Sequence, residues 1–161
     1  MRRRTILSIA LAVGLIGAGT APALGATAPD PKAPALVPFT ITDHDDFVSG
    51  VNTFTATGPL CPSGTFVDDA RVFAGHPDSS GQINLLVRTV YTCDDGSGSF
   101  NTLRQVSITL GPDASFISTG PIQLLGGTGA FTGLAGHGVD NAAGNFATGV
   151  DGQISGFVVQ R

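Results

Sequence analysis

From Phe39 onward the chain never holds an apolar stretch for long before Gly, Pro, Asp, Asn or Ser interrupts it. The segments between interruptions are rich in Val, Ile, Phe and Thr. They fall at 39–42, 51–57, 65–73, 83–93, 99–110, 116–125, 131–139, 146–150 and 154–159. Short β-branched and aromatic runs separated by frequent turn residues predict strands. All twelve acidic residues are Asp and there is no Glu, so a strong helix former is replaced by a turn former, which excludes a helical bundle. Eight or nine strands suffice to close a small barrel and remove exposed edges. The expected fold class is therefore all-β, a single closed antiparallel barrel of about eight strands, with an immunoglobulin-like sandwich as the alternative. At 161 residues the chain is long enough for one domain of ordinary size. Its 23 Gly and 10 Pro fall short of low-complexity composition and show no Gly-X-Y period.

The first 26 residues read differently. Arg2, Arg3 and Arg4 precede an apolar run from Ile6 to Ala18 and the small-residue stretch Ala21-Pro22-Ala23-Leu24-Gly25-Ala26. This is the order of a secretory signal peptide, and the apolar run is too short for a comfortable membrane span. Cleavage is expected after Ala26, with Ala23 and Gly25 as alternatives. General secretion and twin-arginine export both fit the arginine cluster. Residues 27–38 carry Pro29, Pro31, Pro34 and Pro38 and are expected to be a flexible lead-in, leaving 39–161 as the barrel domain.

The chain beyond residue 26 has five basic and twelve acidic side chains, a formal charge of −7. Lys32, Arg71, Arg88, Arg104 and Arg161 are scattered, so no basic stripe is available for nucleic acid. No later run is long enough for membrane insertion. Cys61 and Cys93 are the two cysteines, expected to form one disulfide in an oxidising, extracellular compartment. The rival reading, a metal or reactive-thiol site, lacks ligand spacing. Oligomeric state is not legible.

The clearest hairpin runs from Ile83 to Leu110 and turns through Asp94-Asp95-Gly96-Ser97-Gly98. A turn centred on Gly96 without a bulge pairs Arg88 with Arg104, Leu86 with Val106, Asn84 with Ile108 and Val90 with Thr102. The preceding segment would then send Phe66, Asp68, Ala70 and Val72 inward, through a loop centred near Pro77 or Asp78. Asp68, Arg88 and Arg104 form one interior row with a net charge near +1, the candidate ligand-binding residues for a molecule carrying an anionic group. In the competing reading the arginines extend from the rim or face outward.

Thr42-Asp43-His44-Asp45-Asp46 gathers metal-binding residue types, but an extended chain splits them between two faces, and a solvated turn is the expectation. No metal site and no cofactor is expected. His76 lies in a loop, and His137, among glycines, is a candidate for the barrel mouth. Neither has the spacing of a catalytic triad, and no catalytic residue is assigned.

The string Gly126-Gly127-Thr128-Gly129-Ala130-Phe131-Thr132-Gly133-Leu134-Ala135-Gly136-His137-Gly138 lacks the Lys of a phosphate-binding loop and a following helix. It suits a tight turn and close strand packing. With Gly64-Thr65-Phe66 and Asp95-Gly96-Ser97-Gly98-Ser99-Phe100, it resembles bacterial secreted members of the allene oxide cyclase and dirigent-like barrel superfamily over residues 39–159. That resemblance implies an eight-stranded antiparallel barrel with an apolar interior, which in some members guides cyclisation or radical coupling of a small molecule. The plant cyclase's catalytic carboxylate has no Glu to correspond to here, and no Asp matches that position by motif. Three functions follow as expectations: a secreted module binding a small apolar or amphipathic molecule, an isomerase, cyclase or directing protein without metal cofactor, and a surface interaction protein without a cavity role.

Overall fold

The computed structural model describes residues 34–73 and 82–160. The signal peptide, the lead-in up to residue 33, His76, the loop around Pro77 and Asp78, and Arg161 lie outside the described residues. Among the described residues eight strands appear in chain order: β1 Ala35–Asp46, β2 Asn52–Thr57, β3 Ser63–Phe73, β4 Gln82–Cys93, β5 Gly98–Leu110, β6 Ser115–Gly129, β7 Gly136–Asn145 and β8 Gly149–Gln160. Each pairs antiparallel with its sequence neighbour, and β1 pairs with β8, which closes the sheet into a barrel rather than a sandwich.

The nine expected segments become eight because only Gly149 and Val150 of 146–150 are strand and they begin the one that holds 154–159, while of 131–139 only residues 136–139 enter β7. Asp151, Gly152 and Gln153 do not break β8; they continue its ladder opposite Ala143, Ala142 and Asn141. Gly152 is required there, since a Cβ at this position would run into the Asp43 carboxylate. β1 starts at Ala35, four residues before the expected start. Only β8 flanks it as far as Pro38, because β2 reaches no further than Thr57 opposite Thr40, and a residue without an N–H is tolerated on an unpaired side.

The interior is divided. Toward the end closed by the β4–β5 turn and residues 130–135, Tyr91 stacks on Phe100 with centroids 4.8 Å apart, and Phe54 meets Tyr91 edge-on at 5.1 Å. Phe131, from the glycine-rich string, folds in against Phe100 at 5.5 Å. Cys61 and Cys93 are buried in this cluster and form the disulfide, with Cα atoms 6.0 Å apart. A smaller cluster of Val87, Val106, Ile108 and Phe116 lines the opposite half.

The β5–β6 turn is the one place where residues other than glycine take a positive φ: Asp113 at 55° and Ala114 at 61° among the described residues. Ser115 N donates to Pro112 O at 3.0 Å across them. Two consecutive left-handed residues suit Asp-Gly far better than Asp-Ala. Ala114→Gly is therefore expected to raise stability by about 1 kcal/mol, read as a higher urea midpoint at unchanged slope.

Candidate functional site

The register of the β4–β5 hairpin decides which side chains enter the barrel. The turn contains four residues, Asp94 to Ser97, with Asp95 accepting from Ser97 N at 2.9 Å, and Gly98 already belongs to β5. Its centre thus lies half a residue before Gly96, and every pairing shifts by one. Arg88 faces Leu103, Val87 faces Arg104, and Thr89 faces Thr102. A one-residue slip sends each side chain to the other face. Arg88 accordingly sits on the outer wall, half exposed, with Nε 3.4 Å from the Asp69 carboxylate. It does not share a row with Arg104, and the expected interior triplet of Asp68, Arg88 and Arg104 is corrected in that member.

Asp68 and Arg104 do meet inside the barrel, Nη2 to Oδ1 at 3.3 Å. β3 then departs from its expected alternation. A bulge between Asp68 and Ala70 adds one residue against β4, so Arg71 pairs with inward-facing Val87 while Ala70 and Val72 turn to solvent. Arg71 Nη2 lies 2.8 Å from Asp68 and 3.3 Å from Asp45. Residues 42–46 are not a solvated turn but the last part of β1. Strand alternation points Asp43 and Asp45 inward and leaves His44 outside, where its Nδ1 meets Asp151 at 2.7 Å. Asp140, in a segment whose Gly, Ala and Asn content disguised it as a break, is an inward residue of β7. His137 is exposed on the outer wall and does not line the mouth.

These residues form a polar layer above the aromatic cluster. Arg104 is its centre. Nη1 donates to Asp43 and to Asp140, each at 3.3 Å, and Nη2 donates to Thr89 at 2.8 Å. The Tyr91 hydroxyl donates upward to the same Asp43 oxygen at 3.1 Å, so the aromatic cluster contributes its one polar tip to this layer. Burial alone would lower the Arg104 pKa, but facing Tyr91, Asp43, Asp140 and Asp68 outweigh it and hold the guanidinium more firmly protonated than an exposed arginine. Burial raises the carboxyls of Asp140 and Asp45; Arg104 and Arg71 respectively oppose this, and neighbouring carboxylates add to it. The Tyr91 phenol is pushed up by burial as well.

Above the layer lies a cavity of about 120 Å³. Its floor is Phe66 and the ion pairs; its walls are the apolar side chains of β4, β5 and β6, and Phe47 and Phe146 stand near its opening. The volume is close to that of an engineered apolar cavity, about 150 Å³, known to hold benzene. The charge of the site differs in sign from the expected row. With Arg88 outside, Asp43, Asp45, Asp68 and Asp140 face Arg104 and Arg71, so carboxylates outnumber guanidiniums.

No protein-family model, curated protein or solved structure matches the chain. The site therefore has to be read from its own chemistry. Sequence reasoning missed Arg71, Asp43, Asp45 and Asp140 as site members. Period-two alternation through 39–46 would have placed both β1 carboxylates beside Phe39 and Ile41; the β3 bulge leaves no such trace.

Proposed function

We propose that this is a secreted module that holds a small, largely apolar molecule in the open half of its barrel. The observation that carries the reading is the unequal filling of the interior. Aromatic side chains pack one half, whereas the other half keeps a benzene-sized cavity whose floor is a set of ion pairs centred on buried Arg104. An apolar wall with a few convergent polar groups is the usual composition of a ligand site. Secretion is supported by the basic, apolar, small-residue order of residues 1–26 and by the disulfide. The eight-stranded sequential barrel is also the architecture implied by the resemblance to allene oxide cyclase and dirigent-like proteins.

A second reading, isomerase or cyclase chemistry, draws on Asp140 and Asp45. Both border the cavity, and a carboxyl whose pKa is raised by burial is suited to proton transfer at milder pH. The positions of these groups support it less directly than they support binding, because their carboxylates are engaged with Arg104 and Arg71.

Native mass spectrometry of unheated, undialysed secreted protein should show a copurifying small molecule. Calorimetric titration with benzyl alcohol should be saturable in the wild type. Ala142 borders the cavity from β7, and Ala142→Phe fills it; the variant is expected to bind at least tenfold more weakly with its thermal midpoint retained. Equal binding by wild type and variant, or no saturable binding of benzyl alcohol or of its amine and carboxylate counterparts by the wild type, would overturn the reading.

A further inference from the structure

The charges at the cavity floor do not balance. Buried Arg104 and half-exposed Arg71 supply two positive charges, and four carboxylates surround them. Three of the four lie in contact with Arg104, the most deeply placed cation of the group, which leaves no second cation for Asp140. Asp140 is the most enclosed of these carboxylates, its side chain 2% exposed. Its Oδ2 accepts from Arg104, while its Oδ1 is buried with no hydrogen-bond partner. An unsatisfied buried oxygen on an excess carboxylate is costly unless something donates to it. Asp140 also borders the cavity, and among the described residues it alone combines a place in the cavity wall with such an unpartnered oxygen.

Building on the cavity-binding reading, we infer that the molecule held there carries a protonated amine, whose N–H groups reach Asp140 while its apolar part occupies the space walled by Val106, Ile108 and Phe116. An ammonium provides both missing features: a positive charge against the carboxylate excess and a further donor for the Asp140 carboxylate. An anionic head in the same place would face the four carboxylates and could engage only guanidinium groups already shared among them. Burial is the chief cause of the upward pKa shifts of Asp140 and Asp45, and neighbouring carboxylates add to it.

The matched series benzylamine, benzyl alcohol and benzoate tests this with one ring size and three head groups. At pH 7 benzylamine should bind at least tenfold more tightly than benzyl alcohol, and benzoate more weakly than both. Asp140→Asn should reduce the amine's advantage below twofold while benzyl alcohol still binds. A second readout needs no substitution: in protein carrying carbon-13 at aspartate carboxyls, benzylamine should shift the Asp140 resonance and leave that of Asp151, on the outer wall, in place. Equal affinity for amine and alcohol, tightest binding of benzoate, or an unmoved Asp140 resonance at saturating amine would each overturn the inference while leaving the cavity reading standing. Failure of all three compounds to bind would instead remove the cavity reading itself.

Discussion

Replacing Arg104 with methionine should destabilise the barrel by about 3–5 kcal/mol, the range found when one partner of a buried ion pair is removed. The side chain is only 11% exposed and its guanidinium is shared by Asp43, Asp68 and Asp140, whose own side chains are 6%, 9% and 2% exposed. Methionine fills a similar volume but donates nothing. Three carboxylates then face one another in a half-apolar interior, with Arg71 reaching only Asp68 among them. Arg104→Lys should recover part of the loss, because a point charge compensates the field but does not span several acceptors with a planar fork. The urea midpoint at constant slope measures this, and a loss below about 1 kcal/mol would contradict the role of Arg104 as the shared counter-charge.

The same deficit should depend on pH in a direction set by the raised carboxyls. Asp140 and Asp45 have folded pKa values above the ordinary 3.8, so the folded state binds their protons more tightly than the unfolded chain. Their contribution to stability is fully present below 3.8 and is lost as pH rises through the raised values. Asp46 and Asp95 run the other way. Hydrogen bonds from Ser49 and Ser97 hold them low, and their contribution fades only as pH falls through those lowered values. His44, raised chiefly by its hydrogen bond to Asp151, adds stability that is lost as pH climbs through its folded pKa. Wild-type midpoints are thus expected to increase from pH 7 toward pH 5. In Arg104→Met the influence that lowers the Asp140 pKa is gone and this carboxyl climbs further, so the variant's deficit should be smaller at pH 5 than at pH 7. A deficit that is unchanged or larger at pH 5 would mean that Asp140 is not the group responding.

The barrel was legible because its determinants are local. Strand-forming runs, turn residues between them and a pair of cysteines each leave a trace in composition or spacing, and closure follows from strand number. The interior of the site is a matter of phase, and phase is fragile. The two faces of β4 differ in apolar content, Ile83, Leu85, Val87, Tyr91 and Cys93 against Leu86 and Val90, but a pairing centred on Gly96 set the less apolar face of β4 against Val106 and Ile108 of β5 and so hid that signal. The choice was made by a turn of four residues rather than five, and it exchanged Arg88 for Val87 opposite Arg104. Phe100 offered a discriminating signal, since pairing it with Tyr91 puts the two rings on one face, as observed. The bulge in β3 then brought in Arg71, which no alternation pattern predicts. Asp140 escaped because Asp, Asn and Gly read as a turn. In β7 they instead form a strand whose small residues leave room for a buried carboxylate and its arginine.

Removing the disulfide with Cys61→Ala and Cys93→Ala should cost about 3–4 kcal/mol, from the loop-entropy relation applied to about 33 closed residues. The bridge ties the chain just before β3 to the end of β4, so the loop it closes contains the β3–β4 pair, including the bulge that positions Arg71. Both sulfurs nevertheless lie in the aromatic cluster, and the cavity is on the other side of the polar layer. The loss should therefore appear in the unfolding equilibrium and not in the folded site: the urea midpoint falls, while the benzyl alcohol dissociation constant stays within twofold under conditions where the variant remains folded. This contrasts with Arg104→Met, which acts at the cavity floor and should change both. A disulfide-free variant that keeps its stability would show that the denatured chain gains little freedom from opening the loop. One that remains folded but loses the ligand would show that the bridge transmits order through β3 to Arg71 and Asp68, joining the two halves of the interior more tightly than their separate packing suggests.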